Sequence, residues 1–158
     1  MSFRLSGLAT ALLLTSAMAG TAQAQTSQLH LGPRLSYQFD LEEIGVGAQF
    51  SVPIAQYLEF YPSFDYFFVN SGSFWNLNAD LKYRIATESI NWLYIGGGLN
   101  LNHVSRGNFD DNGVGLNLFA GVESLVGRVH PFGEFRFTAN DGSTAQVAIG
   151  VNFTLRPH

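Results

Sequence analysis

After residue 24 the sequence never carries more than four apolar side chains in a row, as at Tyr66 to Val69 or Trp92 to Ile95. A membrane-crossing helix needs about twenty, so nothing beyond that point can span a bilayer as a helix. The apolar residues alternate instead. From Ile44 to Val52 every even position is apolar and every odd one is glycine or polar. A period of two places one set of side chains on one face of a strand and the other set on the opposite face.

The same pattern recurs until eight segments are counted. Leu31, Leu35 and Tyr37 oppose His30, Arg34, Ser36 and Gln38, and Phe60, Phe64 and Tyr66 oppose Glu59, Tyr61, Ser63 and Asp65. Trp75, Leu77, Ala79, Leu81 and Tyr83 oppose Asn76, Asn78, Asp80, Lys82 and Arg84. Later segments repeat the arrangement, with Glu123, Glu134 and Arg136 on the polar side and Leu116, Leu118, Phe135 and Ile149 on the other. The connections fall at 40–43, 53–56, 70–73, 86–91, 104–112, 126–128 and 139–143, the fifth being the longest. Asn112-Gly113 and Asp141-Gly142 read as hairpin turns. Links this short force antiparallel neighbours, because a parallel crossover takes about a dozen residues or more.

Residues 1–24 read as a secretory leader, with a cation at Arg4, an apolar stretch from Leu5 to Met18 and the small-residue site Ala22-Gln23-Ala24. Its removal leaves residues 25–158 as one domain. Eight strands over that length leave room for the roughly 9 to 11 residues a tilted strand needs to cross a bilayer. The expected fold is therefore all-β: an eight-stranded, antiparallel, up-and-down transmembrane β-barrel.

Alternation alone does not say which face is outside. Only 13% of the residues are charged against 46% hydrophobic, where soluble domains carry about 25% charge. A soluble barrel so composed would be prone to aggregate. The polar set is rich in Gly, Asn, Ser and Gln, and its charges are mixed in sign. Tyr37, Phe39, Tyr66, Phe68, Trp75 and Phe137 fall near one rim and Phe60, Tyr83 and Phe153 near the other, as aromatic girdles require. The apolar face therefore points outward to lipid. With eight basic residues against twelve acidic and one lysine, nucleic acid is excluded as a partner.

The Tyr57-Leu58-Glu59-Phe60-Tyr61-Pro62 entry to the third strand, the repeated hairpins and the closing Val147-Ala148-Ile149-Gly150-Val151-Asn152-Phe153 resemble the small OmpA/OmpX-type outer-membrane β-barrels of Gram-negative bacteria. The likeness covers Leu29 to Leu155. It implies a monomer in the cell outer membrane with both termini in the periplasm, surrounded by outer-membrane lipid and lipopolysaccharide and delivered by the outer-membrane assembly machinery. The implied role is structural or one of surface interaction. Barrels of this family commonly end in an aromatic residue that the machinery reads, whereas this chain continues past Phe153 to Leu155-Arg156-Pro157-His158.

Nine charged residues have the inward parity: Arg34, Glu59, Asp65, Asp80, Lys82, Arg84, Glu123, Glu134 and Arg136. Buried singly, each would cost several kcal/mol, so they are expected to pair. Folding the third strand onto the fourth about Ser71 and Gly72 sets Glu59 opposite Arg84, and a slip of two residues sets it opposite Lys82. Such a lumen holds mainly its own side chains, which argues against a general porin and against luminal catalysis. No cofactor or metal is expected. The run Asn108-Phe109-Asp110-Asp111-Asn112-Gly113 offers acidic oxygens and a glycine but lacks the spacing of an EF-hand loop.

One enzyme-like constellation is present. His103-Val104-Ser105 looks like the His-x-Ser pair of the outer-membrane lipid A 3-O-deacylase family, whose catalytic groups sit on the outer barrel wall. A serine is activated when the histidine takes its proton, and a carboxylate normally orients the histidine. That family follows its serine with Asn, where this chain has Arg106, and no outward-facing Glu lies downstream. The expectation is a non-enzymatic barrel, with a lipid-modifying hydrolase using His103 and Ser105 as the alternative.

Overall fold

The computed structural model describes residues 28–85 and 91–155. These form eight strands: β1 Leu29–Gln38, β2 Glu43–Ala55, β3 Leu58–Phe67, β4 Ser73–Ile85, β5 Asn91–Arg106, β6 Phe109–Ser124, β7 Val129–Ala139 and β8 Thr144–Leu155. Each pairs antiparallel with the next, and β8 pairs with β1, so the sheet closes into an up-and-down barrel with no free long edge. The leader assigned to residues 1–24 lies outside the described residues, as does most of the connection expected at 86–91.

The two faces separate as the alternation requires. Leu116, Leu118 and Ile149 are 62%, 67% and 61% exposed on the outer wall, while Arg34, Asp65, Asp80, Lys82 and Arg136 are buried inside. Outward aromatics pair along one rim, Tyr37 with Phe39 at 5.3 Å and Tyr66 with Phe68 at 5.8 Å between centroids. Tyr57 and Trp92 pair at 5.8 Å toward the end that holds the termini.

The lumen is less purely polar than the alternation suggests. Phe67, Tyr94, Phe119 and Phe132 are buried within it. Each stands across a strand pair from a glycine: Phe67 from Gly45, Tyr94 from Gly121, Phe119 from Gly96 and Phe132 from Gly150. A Cβ at Gly96 would run into the Phe119 ring, and one at Gly121 into the Tyr94 hydroxyl. The glycines thus leave the floor on which the rings lie, an arrangement that also relieves a glycine's weakness in a strand.

Two expectations from the sequence are corrected. The register of β5 with β6 runs unbroken from Asn91↔Ser124 to Arg106↔Phe109, so 104–112 is not a long loop. The turn is Gly107-Asn108, with Gly107 at φ +61°. Asn112-Gly113 is not a turn either; it lies inside β6, where a Cβ on Gly113 would strike the Asn102 side chain. The apolar alternation fades there because backbone pairing continues without needing an apolar face. The second correction is the β3–β4 register. Glu59 stands opposite Lys82 and Phe67 opposite Phe74, two residues away from the pairing centred on Ser71 and Gly72. Ser71 takes φ +70° within the connection, and the turn centres one residue earlier.

β6 first meets β7 at Leu116↔Ala139. Residues 109–115 therefore pair on the β5 side alone, and the β5–β6 hairpin stands above the wall beside it.

Candidate functional site

The nine inward charges gather in two clusters stacked along the barrel axis. Nearer the termini, Lys82 Nζ lies 2.9 Å from Glu59 Oε2 and 3.3 Å from Glu123 Oε2. Arg84 spans the same two carboxylates, its Nε 2.7 Å from Glu59 Oε1 and its Nη2 3.3 Å from Glu123 Oε2. The Nε contact is a close ion pair whose angle does not make a hydrogen bond. Ser51 donates a further short hydrogen bond to Glu59. Glu59 thus meets both bases that the alternative registers offered it.

In the second cluster, Arg136 Nη1 lies 2.6 Å from Asp80 Oδ2 and its Nη2 3.0 Å from Glu134 Oε1. Arg34 reaches the same Glu134 oxygen at 3.2 Å and Asp65 Oδ1 at 3.1 Å. Neutral groups take the remaining lone pairs. Asn117 donates to Asp80, Ser36 and Gln146 donate to Asp65, and the Tyr94 hydroxyl donates to Glu134 at 3.2 Å. Gln49 and Asn152 bridge the clusters: Arg34 donates to Gln49, Gln49 to Asn152 and Asn152 to Glu123.

Between the clusters sit Tyr61, Tyr94 and Phe119. Lys82 Nζ lies 4.5 Å from the Tyr61 centroid and 5.1 Å from that of Tyr94, and the Arg136 guanidinium lies 4.7 Å from that of Phe119. Desolvated cations over ring faces gain about 2 kcal/mol or more. The rings therefore hold a cation on each side. Sequence reasoning placed Tyr61 on the inner face but missed this layer. The signal that marks it is a glycine opposite an inward aromatic.

At the end opposite the termini the lumen widens into a mouth of about 280 Å³, lined among others by Gln38, Asp40, Phe74, Asn76, Asp111 and Asp141. The connections and strand tops there carry Asp40, Glu42, Glu43, Asp110, Asp111 and Asp141 against the single base Arg106.

His103 and Ser105 lie in β5, not in a loop, and face the outer wall. The His103 ring stacks on Trp75 at 5.2 Å, and its Nδ1 lies 2.7 Å from Asn112 Oδ1. Ser105 stands opposite Ser73 on one side and Asp110 on the other. Among the described residues no hydrogen bond joins Ser105 to His103, and the group that orients the imidazole is an amide rather than a carboxylate.

No protein-family model matches the chain, and no curated protein matches it by sequence. Solved structures do. The N-terminal β-barrel domain of Pseudomonas aeruginosa OprF superposes with a TM-score of 0.72 at 12% identity, covering 82% of this chain and 98% of that one. The fold is that of the small outer-membrane β-barrels. Neisserial surface protein A gives 0.60 at 18% identity over 81% of this chain and 95% of its own, and Ail of Yersinia pestis gives 0.60 at 14% over 82% and 97%. At these identities the likeness is one of architecture, and it agrees at that level with the resemblance read from the sequence.

Proposed function

We propose that the chain is a monomeric outer-membrane barrel whose lumen is a packed polar plug, and whose work is structural or done at its exposed mouth. The observation that carries this reading is the pairing of the nine inward charges on both sides of the Tyr61–Tyr94–Phe119 layer, inside a wall whose outer face is apolar. A lumen so filled leaves no continuous water path, and open channels need more strands. The short connections at the termini's end would face the periplasm, and residues 1–24 would direct export. The assembly machinery and lipopolysaccharide are the partners that such a location supplies.

Ail has been solved with the heparin analogue sucrose octasulfate. A polyanion of that kind suits this chain poorly, because like charges across an interface repel and its mouth carries six carboxylates against one guanidinium. An enzymatic reading through His103 and Ser105 lacks both the serine–histidine hydrogen bond and the carboxylate that nucleophilic catalysis uses.

Planar-bilayer recording on the purified monomer tests the plug: no stable large conductance is expected, and a steady diffusive current would overturn it. Mass spectrometry of lipid A from cells making wild type or Ser105→Ala tests the rest. The two profiles should be identical, and an acyl chain lost only with Ser105 present would restore the enzyme.

A further inference from the structure

We propose that the outer edge of the β5–β6 hairpin is a docking strip for an extended, basic polypeptide segment, which pairs with β6 as an added strand. This deepens the surface-interaction reading and rests on it for which end of the barrel faces the exterior.

The first observation is a row of backbone groups with no strand to receive them. Arg106 and Phe109 close the two-residue turn at Gly107 and Asn108 and bond each other, so Asp110, Asn112 and Val114 turn their N–H and C=O groups away from β5. The strand on that side is β7, which first pairs with β6 at Leu116, and among the described residues no other backbone group meets them. Hydrocarbon cannot hold unpaired backbone, so this edge stands in water above the bilayer. At about 3.4 Å per residue, positions 109–114 offer an edge of about 20 Å, the length of an ordinary strand. The register with β5 is unbroken and the segment holds no proline, so the edge keeps the regular geometry that pairing needs.

The second observation excludes a second copy of the chain in the same membrane. Two identical edges join antiparallel only about a twofold axis through the sheet, which here lies in the membrane plane and would turn one barrel upside down. They join parallel only about an axis along the strand. Strands in such barrels tilt by about 35–45°, so that rotation would lay the second barrel nearly on its side. The strip is left for a foreign strand.

Charge selects the kind of strand. Asp110 and Asp111 lie on the edge, on opposite faces, and Arg106 is the only arginine or lysine of the hairpin. Opposite charges across a strand pair attract and like charges repel, so basic segments are held and acidic ones rejected. Phe109 and Val114, 63% and 66% exposed, stand at the two ends of the strip and offer contact to apolar side chains that alternate with the bases. Main-chain hydrogen bonds supply the affinity and the acidic pair the selection, the division of labour of strand addition.

The test uses the refolded full barrel in micelles of an uncharged detergent, where both ends are accessible and binding can fail independently of the surface reading. A short peptide alternating lysine and valine is titrated while the backbone amides of Asp110, Asn112 and Val114 are followed by NMR. Its glutamate–valine counterpart and a lysine–valine version with proline at its central residues run in parallel. The lysine–valine peptide should shift the three amides saturably, and each of the other two should bind about tenfold more weakly or worse. Asn112→Pro removes an outward N–H at an edge position that tolerates the ring and should weaken binding by a similar factor, with unchanged gel mobility of the unboiled variant showing an intact barrel. The Asp110→Asn/Asp111→Asn double variant, whose backbone is untouched, should lose the preference for lysine over glutamate. Equal binding by the proline peptide would reduce the strip to a charged surface and overturn the proposal. Equal binding by the glutamate peptide, no saturable shift, or shifts confined to the end that holds the termini would overturn it too.

Discussion

The two ends of the lumen carry similar residue types and treat them in opposite ways. Toward the termini, Glu59 and Glu123 share Lys82 and Arg84, and the next layer up gives Asp65, Asp80 and Glu134 to Arg34 and Arg136. At the mouth, Asp40, Asp111 and Asp141 have no base among the lining residues, and two amide oxygens are left unpaired. The difference follows from solvent. A carboxylate deep in a closed barrel has no water to fall back on, so its partner must be protein. One at the rim is hydrated and can be kept free for something else.

The sharpest way to break this contrast is to remove one partner from the sealed region. Arg136→Met leaves Asp80 without its guanidinium and Glu134 with only Arg34, and should cost about 3 to 5 kcal/mol, read from urea unfolding in lipid vesicles. A loss below about 1 kcal/mol would mean that the pairing is no tighter than that of an exposed ion pair. Next comes the outer wall on which the contrast depends. Leu118→Arg places a charge on the lipid face and should cost about 2 to 4 kcal/mol near the bilayer midplane, whereas in detergent-free water a soluble barrel would gain solubility from it.

A smaller effect is expected from the layer between the clusters. Gly96→Val pushes into the Phe119 ring and against the Leu81 carbonyl, and through the ring disturbs the seat of Arg136. Overpacking of this kind costs about 1 to 3 kcal/mol, and Phe119→Ala in the same chain should recover only the part due to the ring, since the Leu81 carbonyl stays in contact. The smallest effect belongs to the mouth. Asp111→Asn should leave stability within about 0.5 kcal/mol, as surface changes do. A large loss there would show that the mouth carboxylates are structural, and the comparison between the two ends would collapse.

The wall was legible in the sequence because lipid enforces alternation at every crossing position. From Ile44 to Val52 or Leu77 to Tyr83 a single slip would turn a charge or an amide into the bilayer, so the parity of all nine inward charges could be read directly. What could not be read lies where that pressure ends. From Arg106 to Asn112 every residue is exposed, and a strand there looks like a loop. The β3–β4 register depends on how Ser71 turns, a backbone choice that its side chain does not announce. Pairing partners were open for a related reason: Glu59 has Lys82 and Arg84 both in reach, and it takes both. The mouth was illegible because its meaning lies in partners that are missing, and no residue type signals an absence.

The bridging contacts across the lumen have a consequence for how the barrel is made. Arg34 reaches Glu134 across 100 positions of sequence, and Gln49 reaches Asn152 across 103. Neither contact exists until β1 has met β8. A half-zipped sheet entering a membrane would hold Arg34 without Glu134 and Asp80 without Arg136, while Glu59 and Lys82, on neighbouring strands, would already be paired. Contacts of such long sequence separation are made only when the cylinder closes, so the ionic interior acts as a latch that rewards the finished barrel.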